Sequence, residues 1–188
     1  MLNKILIFIF KALGWKLSGH VPITVSQSII IVAPHASWVD FPLGLCARAA
    51  IRLKISYLGK AELFKPPFGW LFSCLGGYPV DRSKHNNMVD AVVNLFRANQ
   101  QLHIAIAPEG TRKDVTKLKT GFYYVAKGAN IPIIMVGFDY PRKTVFISKP
   151  FYPTNNIEAD FDEIAKFYNN IEGIQKSWIK ETIHKSIK

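Results

Sequence analysis

The chain has 188 residues, of which 49% are hydrophobic, and a formal net charge of +11; this fits one domain with a substantial core and excludes two ordinary domains. The charge calls for an anionic partner, whether nucleic acid, acidic protein, phosphorylated small molecule or acidic membrane face. The two cysteines, Cys46 and Cys74, lie in apolar surroundings without CxxC spacing or a nearby histidine cluster, which argues against a disulfide framework and a metal site and favours a reducing compartment.

The first predicted element is a helix within residues 1–19. Its apolar run from Ile5 to Phe10 is cut by Lys11, no small-residue cleavage site follows, and the run falls short of the roughly 20 apolar residues a spanning helix needs. Lys4, Lys11 and Ser18 recur every seventh position on one narrow stripe, with Ile, Leu, Phe and Trp15 around the remainder. Such a helix is either a core helix with a solvated edge or an in-plane membrane helix whose lysines reach headgroups. The breadth of the apolar face favours the membrane. Residues 1–19 are therefore read as a membrane-associating helix and 20–188 as the main domain.

Apolar, β-branched runs at 28–33, 55–59, 78–81, 102–107, 132–138 and 144–149 predict strands. Helices fall between most of them: the run starting at Phe41, "NNMVDAVVNLFRANQ" with Asn86 or Asn87 as cap, "KTGFYYVAKGAN", and further helix over 157–185. This order is α/β, a single domain with a mixed, mostly parallel sheet flanked by helices, because "FDYPRKT" is short enough to join the last two strands as a hairpin. In the C-terminal helix, Lys176, Lys180, Lys185 and Lys188 around Trp178 form either a second membrane contact or a solvated face.

Three polar segments fall at predicted strand ends, where open α/β sheets place ligands: "PHASWVD", "VDR" and "PEGTR". Five residues turn an α-helix through about 500°, and an odd spacing puts side chains on opposite faces of a strand, so His35 and Asp40 can meet only across a turn. Pro34 and Pro42 favour that turn. A paired Asp40 would fix the imidazole tautomer and leave the other nitrogen as a general base; alternatively, Asp40 caps the next helix. In "PEGTR", Gly110 permits a tight turn, and Thr111 and Arg112 offer a hydroxyl and a planar donor fork suited to phosphate. Arg82 sits at the other strand end. Each arginine also has a local acidic partner, Asp81 or Glu109, for a plain surface ion pair.

As an ordered set, His35 to Asp40, "GGYPVDR", "PEGTR" and "IPIIMV" resemble the glycerolphosphate acyltransferases of the lysophosphatidic acid acyltransferase type, over about residues 30–140. The resemblance implies that fold and acyl transfer from acyl-CoA or acyl-carrier protein to the free hydroxyl of a lysolipid, above all 1-acyl-sn-glycerol 3-phosphate. His35 would be the base and Asp40 its orienting acid. Arg82, Glu109, Gly110, Thr111 and Arg112 would wall the acceptor's phosphate, with Lys60 and Lys119 as further candidates. No acyl-enzyme, metal or cofactor is implied, so Ser37 would steady the turn. The expected partners are a lysolipid, the thioester donor and the cytoplasmic face of a membrane, with no nucleic acid.

Pro34, where many members have a polar residue, and Pro79, where an apolar one is commoner, depart from the pattern and leave the acceptor open. A lyso-ornithine lipid or another lysophospholipid is the alternative substrate, and a non-catalytic basic membrane-binding module the alternative class. Phe64, Pro66, Pro67, Phe68, Trp70, Leu71 and Phe72 would line an acyl-chain groove or meet lipid, with half or more of them expected in the core.

Overall fold

Ile29, Ile30 and Ile31 are β-branched residues in unbroken succession, and such a run is stable only where both faces of a sheet are covered. In the computed structural model, which describes residues 2–35, 37–80, 88–172 and 176–186, they form the central strand. The sheet contains β1 (Lys16–Ser18), β2 (Gln27–Val32), β3 (Ile55–Lys60), β4 (Gly77–Val80), β5 (Leu102–Ile106), β6 (Ile133–Asp139) and β7 (Thr144–Ile147), in the spatial order β1-β7-β6-β2-β5-β3-β4. The helices are α1 (Leu2–Ala12), α2 (Asp40–Ile51), α3 (Gly69–Cys74), α4 (Met88–Arg97), α5 (Gly121–Ala129), α6 (Ile157–Asn169) and α7 (Ser177–Ser186). The mixed α/β sheet expected from the sequence is present, and the 139–144 turn joins β6 and β7 as an antiparallel hairpin.

Successive residues of β2 feed two cores. Ile29, Ile31 and Ala33 pack with Val92, Phe96, Tyr123, Tyr168 and Trp178 beneath α4 to α7. Ile30 packs with Phe10, Leu43, Ala47, Val136 and Phe138 beneath α1 and α2. Strand β2 lies between β5 and β6 and is parallel to both, so the loops leaving these three strands emerge side by side at one edge. That adjacency builds the site.

Several expectations change. Strand β1, three residues pairing with β7, is too short to give a periodic signal. A 3-10 turn over Ala61–Phe64 and helix α3 occupy the aromatic segment, where Pro66, Pro67, Phe68, Trp70 and Leu71 are exposed; only Phe64 and Phe72 are partly covered, packing ring to ring. The segment is thus mostly surface, where half or more was expected in the core. At the C-terminus Trp178 and Lys176 are buried inside the protein, against the expectation for them, whereas Lys180 is exposed; the side chains of Lys185 and Lys188 lie outside the described residues. Asn86 and Asn87, expected as caps of α4, lie outside the described residues.

Helix α1 inserts Phe10 into the core and packs along α2. Leu2, Ile5, Phe8 and Ile9 remain exposed on it. Among the described residues, no helix is long and apolar enough to cross a membrane.

Candidate active site

Pro34 ends the run of β2, and the chain turns through residues 34–39 before α2 begins at Asp40. The turn brings His35 Nδ1 to 2.9 Å from Asp40 Oδ2. Asp40 is the first residue of α2, and its carboxylate points back into the loop: Oδ2 also accepts from the Ser37 amide at 2.9 Å. The Ser37 hydroxyl in turn accepts from the Val39 amide at 3.2 Å, so Ser37 braces the turn from both sides. Since a carboxylate only accepts, His35 Nδ1 is the donor and Nε2 is left as the basic nitrogen. The Asp40 side chain is 2% exposed and that of His35 22%, which seats the acid in the protein and the base at its surface.

The neighbouring strand ends complete this arrangement. From the end of β6, the Tyr140 hydroxyl donates to Asp40 Oδ1; burial, reinforced by that bond, pushes the phenol well above its ordinary range, so it remains a donor at working pH. From the end of β5, Glu109 Oε2 accepts from the His35 backbone amide at 3.2 Å. Its other oxygen, Oε1, accepts from Trp178 Nε1 at 3.1 Å, and Lys176 Nζ lies 3.7 Å from Oε2. Burial pushes the Glu109 carboxyl up, against the pull of Trp178, Lys176 and the His35 amide.

Glu109, read from the sequence as part of a phosphate wall, is therefore wholly buried, with its carboxylate turned inward. It ties the His35 loop to the start of α7. Lys176 extends the tie by donating to the carbonyls of Arg112 and Lys113 at 3.1 and 3.2 Å. Elsewhere in the 108–112 turn Pro108 is buried, Thr111 is partly exposed, and Gly110 and Arg112 face out. Gly110 adopts φ +67°, a conformation that favours glycine, and the end of the Lys119 side chain lies across it, where a Cβ would stand 2.8 Å from Nζ. Thr111 accepts from the Lys113 amide through its hydroxyl, and Arg112 is exposed.

Lys60 ends β3 at the same edge, beyond β5 from the histidine loop. Arg82 lies outside the described residues. The structure thus joins His35, Asp40 and Glu109 directly and gathers Gly110, Thr111, Arg112 and Lys119 in the adjoining turn. Sequence reasoning missed Tyr140, Lys176 and Trp178. The one available signal was that "FDYPR" also stands at a strand end. An imidazole held at Nδ1 by a buried carboxylate, with an exposed Arg and Lys in the segment that follows the neighbouring strand, can take a proton from a hydroxyl borne by an anionic molecule.

The Acyltransferase family model matches residues 15–139, a span that contains His35, Asp40 and the 108–112 turn and stops one residue before Tyr140. Over 83 residues the chain is 36% identical to the 1-acyl-sn-glycerol-3-phosphate acyltransferase of Salmonella typhimurium, covering 41% of this chain and 34% of that one. Over 122 residues it is 29% identical to the protein of the same description from Saccharomyces cerevisiae, covering 57% and 37%. The chain thus spans about a third of the length of these curated relatives. In three dimensions it is similar to the crystal structure of the 1-acyl-sn-glycerophosphate (LPA) acyltransferase from Thermotoga maritima. That match has a TM-score of 0.58 at 19% identity and covers 99% of this chain and 78% of that chain, a likeness of fold.

Proposed function

The chain belongs to the acyltransferase family, and from that premise we propose that it transfers an acyl chain from a CoA or carrier-protein thioester to the free hydroxyl of 1-acyl-sn-glycerol 3-phosphate. The observation that carries this reading is the 2.9 Å contact between His35 Nδ1 and the buried Asp40. His35 Nε2 takes the proton of the acceptor hydroxyl as its oxygen attacks the thioester carbonyl carbon. Asp40 stabilises the imidazolium that forms. The carbon–sulfur bond then breaks, the new ester remains on the acceptor, and the proton leaves with the thiol. The thioester is already activated, so the reaction asks for no metal or organic cofactor.

The proposed contacts of the acceptor phosphate are Arg112, Lys119 and the Thr111 hydroxyl, with Arg82 and Lys60 kept as further candidates from the sequence alone. Glu109 serves by holding the loop. Purified protein given lysophosphatidic acid and other lysolipids, each with acyl-CoA or acyl-carrier protein, releases free thiol fastest with lysophosphatidic acid. Absence of thiol release with every pair leaves a binding module instead. Arg112→Ala raises the KM for lysophosphatidic acid about tenfold or more, the worth of a charge-assisted hydrogen bond, and leaves a phosphate-free monoacylglycerol unaffected. Equal loss on both acceptors removes Arg112 from the phosphate site.

The proposed location is the cytoplasmic surface of a membrane, held peripherally. The exposed Leu2, Ile5, Phe8 and Ile9 of α1 support this, as do Trp38, Val39 and Phe41 in and after the histidine loop, Phe68 just before α3, and Trp70 and Leu71 on it. Deleting α1 would remove Phe10 from the core, so the test is made on its surface. Ile5 and Phe8 are 50% and 71% exposed, and changing both to Ser weakens flotation with anionic liposomes by about tenfold or more, given the transfer energy of their apolar area, at unchanged thermal stability. Undiminished flotation takes α1 out of the anchoring surface.

A further inference from the structure

Both oxygens of the Asp40 carboxylate are engaged, from two directions. Oδ2 meets His35 and the Ser37 amide within its own loop, whereas Oδ1 meets Tyr140, 100 residues away in the chain. The backbone of the loop is tied to Glu109 through the His35 amide; the bond from the β6–β7 hairpin ties its carboxylate to the sheet. The phenol is itself held. Trp15 meets the Tyr140 ring edge-on, at 5.4 Å between centroids and 87° between planes, and touches Phe138 at 6.4 Å and Phe10 of α1 at 6.4 Å. A continuous set of ring contacts therefore runs from α1 through Phe10, Trp15 and Tyr140 to the carboxylate that orients His35.

We propose that Tyr140 is a positioning residue for acyl transfer, its hydroxyl fixing Asp40 so that Oδ2 presents to His35 Nδ1, and that Trp15 fixes Tyr140 in turn. The proposal rests on the acyl-transfer reading for its kinetic consequence but not for its structural one. Second partners of this kind hold a reacting group's partner in place without touching substrate, and their loss is felt in turnover. The donor is secure, since burial and the Asp40 contact keep the phenol protonated.

Tyr140→Phe keeps the ring against Trp15 and removes only the hydroxyl. Turnover (kcat) falls about tenfold, the worth of one hydrogen bond to a charged group, with KM for the lysolipid unchanged. In the Asp40→Asn background the same substitution costs nothing further, because the group it acts through is gone. In 15N-histidine-labelled protein, the Nδ1–H resonance of His35 moves from its wild-type position or is lost to exchange in Y140F. That readout needs no turnover.

An unmoved resonance, an unchanged kcat, or an equal loss in both backgrounds overturns the proposal. A moved resonance in a protein whose wild type acylates no acceptor upholds the positioning and sinks the acyl-transfer reading instead. Should Y140F unfold, 3-fluorotyrosine at position 140 keeps the shape and strengthens the donor. The His35 resonance then moves, and a stationary one counts against the proposal.

Discussion

His35→Ala lowers thiol release by about a thousandfold, the middle of the range for a general base, in a protein that melts within a few degrees of wild type. The loss is chemical because the ring is the only part of the loop removed. The Asp40 carboxylate keeps the Ser37 amide and the Tyr140 hydroxyl, so no buried charge is stranded. The bond from residue 35 to Glu109 is made by the backbone and survives the substitution. Lysolipid binding, read by titration against vesicles containing lysophosphatidic acid, is retained. A folded H35A that turns over within tenfold of wild type removes the base from the mechanism.

The largest effect on stability is expected at Glu109. Glu109→Ala leaves the Lys176 ammonium, 4% exposed, buried without its carboxylate and deprives Trp178 Nε1 and the His35 amide of their acceptor. Breaking a buried ion pair from one side costs about 3–5 kcal/mol, a large part of the roughly 5–15 kcal/mol that holds a domain together. For a chain of this size the melting temperature drops by about 10 °C. Glu109→Gln is milder: it keeps one acceptor oxygen but turns an amide donor toward groups that are themselves donors. Calorimetry and the acceptor KM together decide the role. A residue that grips substrate raises KM at constant stability, whereas the buried tie lowers stability first, and an E109A protein as stable as wild type removes Glu109 from that position.

The parts of the molecule legible in the sequence are those written in local pattern. Ile29 to Ile31 announce a covered strand, and the prolines flanking His35 and Asp40 announce a turn. "PEGTR" announces a strand end with cations. What stayed hidden depends on elements distant in the chain. Tyr140 reaches Asp40 because β6 happens to pair with β2, and nothing near either residue encodes that neighbour. Trp178 and Lys176 were misplaced for a related reason: an apolar stripe fixes which side of a helix is covered, but lipid and protein satisfy it equally well. The buried Glu109 shows the same limit, since an acidic residue beside an exposed arginine reads as surface until its partners from α7 are known.

The tie between Glu109 and Trp178 spans 69 positions, and this sets an order of events when the chain is made. The 108–112 turn leaves the ribosome early, but the indole and ammonium that hold it are synthesised only after β6, β7 and α6 have followed. Until then the Glu109 carboxylate stays solvated and the histidine loop lacks its second brace. The proposed base and its orienting acid, His35 and Asp40, are therefore synthesised well before the helix that completes the brace of their loop.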